Sequence, residues 1–401
     1  MADYDILIAG AGPVGSAFAL ALADGRRRIA VVEARTGAAP ASDRAIVLAS
    51  ASVRLLQALG AWQPLAATAS PIERVEVSER GWPGRTRIDA VDEGVTALGR
   101  VVGYADLARV LAERARAAPG VEWLAPATVE DAEVSAAGAR LRIAAQDGAM
   151  TRSARLAVAA DGMHSPLREQ LGIDVDEQDY GQSALVVDVT AGGAATTAHE
   201  RFTTAGTLAL LPGGGSRRTL VWAQPRAAAE ARRSTPRDEL GAEIAALLGG
   251  ELAPVAVVGA PAVYPLRRIE ARALVAERGA VLGNAARTLH PVAAQGFNLA
   301  LRDACALAER LLPAGDPGAA EVLRAWQRDR ALDRGFTRAF TDTLARVGGR
   351  GPRLLGGLRA GALLGLDLCS GARGLLAAQT MGLAGGLPRV GSWQPGPGSA
   401  P

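Results

Sequence analysis

The stretch that most restricts the fold is DILIAGAGPVGSAFALALADGRRRIAVVE, residues 5–33. It reads as an apolar strand, a glycine turn, an Ala- and Leu-rich helix and a second strand, with Gly10, Gly12 and Gly15 in the spacing G-x-G-x-x-G. Each glycine has its own physical reason. Gly10 permits the tight turn, Gly12 lets the backbone approach a pyrophosphate held at the helix start, and Gly15 lets the helix press against the strand. Glu33 closes the second strand 23 residues after Gly10, placed to accept hydrogen bonds from an adenosine ribose. A dinucleotide site in an open α/β sheet is the expectation.

At 401 residues the chain exceeds one ordinary core, so two domains are expected. Segments of dinucleotide-binding character recur on both sides of an antiparallel one, which makes the two interleaved rather than sequential. All 44 basic residues are Arg, and the net charge of +3 is too small and too evenly spread to suit nucleic acid. Cys305 and Cys369 stand far apart and offer neither a disulfide framework nor a metal cluster, so no metal is expected and cytoplasmic residence is the simpler reading. The leading residues carry Asp3 and Asp5 and no positive charge, unlike a secretion signal. No run of 18 apolar residues predicts a membrane span.

Further along, Val53, Leu56 and Leu59 mark a short helix that stops at Gly60. Arg44 precedes it, and its plainest reading is a solvated charge. Alternation at Ile72, Val75 and Val77 predicts strands over 71–92, and helical spacing returns at Leu107, Val110 and Leu111. An apolar strand from Leu156 ends in AADGMHSPLREQLG, which puts Asp161 and Gly162 at a strand's carboxyl end, where open α/β sheets hold their ligands. Short strands separated by Gly-rich turns over 183–223 predict an antiparallel sheet, followed by a helix near Asp238 to Leu248. Residues 322–347 read as helical. The Leu-, Gly- and Ala-rich stretch 353–388, broken by Arg353, Arg359, Asp367 and Arg373, reads as packing elements that close a core, with interfacial amphipathic helices as the alternative.

The second informative stretch is AVLGNAARTLHPVAAQGFNLALRDACALAERLL, from Ala280 to Leu312. It predicts a short buried strand, a loop of small and polar residues, and a helix opening at Gln295 and Gly296. Phe297, Leu301, Ala304, Ala308 and Leu311 form the apolar stripe of that helix. Unpaired N–H groups at its start suit an anion or an electron-rich carbonyl.

Together GNAARTLHPVAAQGFNLALRD, DRAIVLASASVRLLQALGAW and QTMGLAGGLP resemble the single-component FAD monooxygenases of the p-hydroxybenzoate hydroxylase type. The resemblance spans essentially the whole chain and is nearest to the ubiquinone-biosynthesis hydroxylases of the UbiH/VisC group. It implies an α/β fold in which a Rossmann-like FAD-binding domain, residues 1–70, 100–180 and 262–345, is interleaved with an antiparallel-sheet substrate domain, residues 71–99 and 181–261. C-terminal helices over 346–392 and a disordered tail over 393–401 would follow.

By the same resemblance, Gly10, Gly12, Gly15 and Glu33 would hold the ADP half of FAD, with Arg44 near the pyrophosphate. Asp161 would lie near the cofactor and shape the approach of NAD(P)H, the transient reductant. Asn284 stands where the wider family has Asp, against the ribityl chain, and keeps an acceptor oxygen there. Pro291 and the backbone of Gly296, Phe297 and Asn298 would border the isoalloxazine ring. The chain departs from the family pattern at Arg287, usually His, at Ala293 and Ala294, often Gly, and at Gly103, often an acid or amide. His290 is a candidate proton relay, although a structural imidazole is the preferred reading.

The implied reaction is hydroxylation of a polyprenyl phenol in ubiquinone biosynthesis with NAD(P)H and O2. Other ubiquinone-biosynthesis proteins would be partners, and a peripheral contact at the inner face of the membrane would go through the Arg-studded apolar tail. Hydroxylation at another ring carbon, a prenyl reductase, and a non-catalytic FAD-binding subunit of a quinone-synthesis assembly remain open. A flavin halogenase does not, because the chain lacks lysine and a W-x-W-x-I-P segment.

Overall fold

The computed structural model describes residues 2–36, 44–290, 294–347, 353–383 and 387–389. Short unbroken apolar runs belong to strands covered on both faces. Tyr4–Ala9, Ile29–Val32 and Gly279–Val281 are such runs, and nearly all their residues are buried. They join Gly148–Ala159 and Val121–Leu124 in five parallel strands, ordered Gly279–Val281, Gly148–Ala159, Tyr4–Ala9, Ile29–Val32, Val121–Leu124. Ala127–Ser135 and Gly138–Ala145 extend the long strand as an antiparallel meander, and Val275–Ala276 borders the other edge.

The helix Pro13–Leu22 crosses over from Tyr4–Ala9 to Ile29–Val32, while Gly148–Ala159 lies on the opposite side of Tyr4–Ala9. Strand order therefore reverses at Tyr4–Ala9, which is where such sheets bind ligands. The helix Gln295–Leu311 packs against Pro13–Leu22. Its predicted stripe is correct at Leu301, Ala304, Ala308 and Leu311, all fully buried. Leu299, Cys305 and Leu307 are fully buried as well, because the helices Ala320–Asp329 and Ala331–Val347 cover its outer side. Phe297 departs from the stripe and is only partly buried.

A second, nine-stranded sheet contains the strands expected within 183–223 together with Arg74–Glu79, Arg85–Asp89 and Ala262–Ala271. Its ladders are antiparallel except for Thr197–Thr203 against Arg74–Glu79. Ser70–Ile72, within the predicted strand region, instead pairs with Gly99–Gly103, which also pairs with Ala45–Ala49 to make a three-stranded sheet. That small sheet touches the helix Gln295–Leu311 through Ala45–Ala49 and the large antiparallel sheet through Ser70–Ile72. The helical stretch predicted over 322–347 is two helices meeting at Arg330.

Arg330 belongs to a buried ionic network. Its Nε donates to Asp303 Oδ1 at 2.8 Å and its guanidinium also reaches Asp333, which pairs with Arg302 at 3.0 Å. Arg287 Nη1 lies 3.7 Å from Asp303 Oδ2, so the departure at this position supplies a partner for a buried carboxylate. Removing one member of such a network leaves opposite charges buried and uncompensated. Asp303→Ala is expected to lower unfolding stability by about 3–5 kcal/mol, read as a fall in the urea midpoint at constant slope.

Candidate active site

Three segments far apart in sequence end side by side. Ala9 is in register with Ala159, and Ala159 with Val281, so the loops carrying Gly10, Asp161 and Asn284 leave three adjacent parallel strands at their carboxyl ends. Backbone hydrogen bonds tie the exits together: Ala160 N–H donates to Ala9 O at 2.8 Å and Leu282 N–H to Ala159 O at 2.9 Å.

The glycines divide by what surrounds them. Gly10, at φ +97°, could not carry a side chain, because a Cβ there would lie 2.4 Å from Ala160 O. A Cβ on Gly15 would lie 2.0 Å from Gly10 O. These two allow the chain to close on itself. A Cβ on Gly12 or on Gly296 would meet no protein atom within 4 Å, so both open onto space that a ligand can occupy.

Glu33 is buried and holds the glycine turn: Oε2 accepts from Ala11 N–H at 2.9 Å, and Oε1 from Arg35 N–H and Nε at 3.1 and 3.0 Å. A carboxylate has about four acceptor positions, so one remains for a ribose hydroxyl. Asp161 Oδ2 accepts from Leu167 N–H at 3.3 Å, whereas its Oδ1 is buried and has no partner among the described residues. Burial raises the Asp161 pKa, against hydrogen bonds from Ser165 and Leu167 that lower it. Asn284 is exposed on a short turn, Gly283–Ala285, that follows the third strand. Arg44 is exposed, with its guanidinium 4.9 Å from the Tyr104 ring centre and 5.1 Å from that of Tyr264.

The helix Gln295–Leu311 starts from Ala294, a non-glycine residue in the left-handed region at φ +49°, where L side chains are strained. The Asn298 amide stabilises this start. Its Oδ1 accepts from Ala49 N–H at 2.8 Å, and its Nδ2 donates to Val47 O at 2.9 Å and Ala294 O at 2.8 Å. The Asn298 side chain is thus committed to joining the helix to the strand Ala45–Ala49. Any cofactor contact in this turn falls to the backbone, whose first N–H groups lack helical acceptors and favour negative charge.

Beside this turn opens a cavity of about 540 Å³, bounded by Gly296 to Asn298, the small sheet, one face of the antiparallel sheet and the C-terminal helices. Leu363, Leu366, Leu376 and Met381 help to close it. Those helices therefore form part of the cavity wall. Among the polar lining residues is Glu200, which sequence reasoning missed.

His290 is buried away from this lining. Its Nε2 lies 3.3 Å from Gln182 Oε1, its ring meets Tyr180 edge-on at 5.1 Å, and burial pushes its pKa down to about 4. A neutral imidazole results. Pro291 and the tail 393–401 lie outside the described residues.

A protein-family model described as an FAD binding domain matches residues 3–334. The chain belongs to that family. FAD is its cofactor, and the residues fit it: Gly12 and Gly296 open onto space, and Asp161 presents an unpartnered buried oxygen at the sheet's switch point. The chain is 34% identical to ubiquinone hydroxylase UbiL of Rhodospirillum rubrum, over 86% of this chain and 81% of the relative. It is 31% identical to 3-demethoxyubiquinol 3-hydroxylase of Escherichia coli, over 82% and 86%. The structure superposes on p-nitrophenol 4-monooxygenase PnpA of Pseudomonas putida with a TM-score of 0.80 at 19% identity, covering 95% and 98% of the two chains, which shows the shared fold. This protein is an FAD-dependent monooxygenase with the α/β architecture of the p-hydroxybenzoate hydroxylase type.

The two kinds of glycine give a discriminating experiment. Gly12→Ala is expected to leave the apoprotein's stability within about 0.5 kcal/mol while weakening FAD binding. Gly10→Ala is expected to lower both, as measured by thermal melting and flavin-fluorescence titration.

Proposed function

We propose that this monooxygenase hydroxylates the ring of a polyprenyl phenol in ubiquinone biosynthesis, with NAD(P)H as reductant and O2 as oxygen source. The observation that carries this reading is the cavity of about 540 Å³, mostly apolar, that adjoins the start of the helix Gln295–Leu311. A cavity of that size suits a substituted phenol, and its apolar lining favours a lipid-like substrate over a charged aromatic acid. FAD, when bound and reduced, activates O2 so that one oxygen atom can be transferred to the ring. The chain's own part is to hold the ring, exclude water and accept developing negative charge at the N–H groups of the first helical turn.

A polyprenyl chain must enter from a membrane or a carrier. Among the described residues no single helix is long and apolar enough to cross a membrane. The helical segments Ala360–Leu368 and Ser370–Thr380 meet at 101°, expose Leu364, Leu368 and Leu375, and turn Leu363, Leu366 and Leu376 into the cavity. One helical pair thus faces both ways, which supports a peripheral membrane contact through which the prenyl chain reaches the ring site. Replacing Leu364, Leu368 and Leu375 with Ser is expected to reduce sedimentation with anionic liposomes at least tenfold while leaving FAD content unchanged. Undiminished sedimentation would remove the role.

The proposed activity is tested with purified protein, FAD, a nicotinamide, 18O2 and a short-chain prenyl phenol. The expected product carries one labelled oxygen on the ring. Nicotinamide oxidation without any labelled product from methoxylated or demethoxylated phenols would overturn the proposed substrate.

A further inference from the structure

Glu200 sits in the middle of Thr197–Thr203, opposite Val77 on one neighbouring strand and Ala209 on the other. Because side chains alternate along a strand, Ala198, Glu200 and Phe202 share a face, and all three line the cavity. The surrounding wall is apolar, with Val75, Ile88 and Leu211 from the sheet and Leu363 and Leu366 from the helix across it. Gly296, Phe297 and Asn298 line the same cavity.

A carboxyl in such a place ordinarily has a cation or several donors. Glu200 has neither: its Oε1 is buried without a hydrogen-bond partner, and no ion pair reaches it among the described residues. The charged groups nearby are directed elsewhere. His199 also borders the cavity, but alternation turns its ring to the other face, where burial lowers its pKa and Glu76, Glu251, Arg218 and Arg201 set its field. Glu79 shares the Glu200 face by register with Phe202, but it is buried outside the cavity lining and has a contact of its own. Burial alone therefore raises Glu200, to about 7. A carboxyl that costs stability and satisfies nothing within the protein is explained by a ligand that supplies the missing donor.

We propose that Glu200 is the catalytic base that accepts the phenolic proton of the substrate as its ring is hydroxylated. The inference rests on the phenolic-substrate reading above. The phenol O–H bond breaks and a carboxyl O–H forms. The electron pair left on the phenolic oxygen moves into the ring as the new C–O bond forms to one oxygen of an O2 that FAD, when bound, would have reduced with the two electrons of NAD(P)H; the O–O bond breaks and the other oxygen leaves as water. Rearomatisation releases the ring C–H proton to water and returns the Glu200 proton to the phenolic oxygen. In sum, a ring C–H, O2, NAD(P)H and a proton become C–OH, water and NAD(P)+, with Glu200 regenerated. A base titrating near the working pH combines availability with driving force, as general-base catalysis requires.

The test compares wild-type, Glu200→Gln and Glu200→Asp holoenzymes on a phenol the wild type hydroxylates. Glu200→Gln is expected to lower the hydroxylation kcat by about 10²–10⁴-fold and to remove the limb of the pH profile that rises through about 7. FAD content and the rate of flavin reduction by NAD(P)H should be unchanged, so O2 is consumed without product, and Glu200→Asp should keep part of the rate. Melting gives a readout independent of turnover. Because the folded-state pKa is raised, the unfolded chain loses its proton first as pH rises, so wild-type stability should fall relative to Glu200→Gln from about pH 4.5 to about pH 7 and level off above that. Wild-type hydroxylation by Glu200→Gln with the same pH limb would overturn the role. A wild type that hydroxylates no phenol, yet shows the expected melting difference, would overturn the phenolic reading and with it the base, while leaving the buried carboxyl intact.

Discussion

The rest of the structure depends on how closely the chain can approach itself at the carboxyl ends of three parallel strands. Gly10 passes under Ala160, and Gly15 under Gly10, at distances that a single methyl group would forbid. That close packing seats the first helix against the sheet. It also brings the Asp161 loop beside the glycine turn. The third strand then sets Asn284 into the same crevice through the hydrogen bond from Leu282 to Ala159. The crevice is therefore a consequence of backbone packing, with the polar groups added on top.

The second organising contact is the Asn298 amide. By holding Val47, Ala49 and Ala294 at once, it makes the start of the helix Gln295–Leu311 and the strand Ala45–Ala49 one rigid corner. Both border the cavity, so the turn assigned to the cofactor and the wall assigned to the substrate share a single support. Such shared support keeps reacting groups in register, and small misplacements are costly for oxygen transfer as for other chemistry.

The glycine turn, the Asp-Gly strand end and the loop-helix of 283–312 were legible because each rests on local rules: a strand, a special backbone position and a helical period within about thirty residues. The strand-rich character of 183–223 was legible from alternation and turns. Other features were not. Glu200 looks like any strand glutamate, and its only sequence signal is that Ala198 and Phe202 flank it at a spacing of two. The backbone of Asn298 was the part assigned to the ring; the further role of its side chain, tied by long-range bonds to Val47 and Ala49, is one that no local pattern encodes. The apolar stretch after residue 353 was read as closing a core, and it packs over the cavity while also exposing leucines. Separating those two faces required the position of the sheet beneath it.

The most direct measurement is a crystal structure of the holoenzyme with FAD and a bound phenol. The pyrophosphate is expected over Gly12, the isoalloxazine ring against the backbone of Gly296 to Asn298, Asp161 Oδ1 turned toward the cofactor, and the phenol oxygen within hydrogen-bond distance of Glu200. A flavin ring seated away from the helix start, or a phenol whose oxygen is held by another side chain with Glu200 still unpartnered, would contradict it.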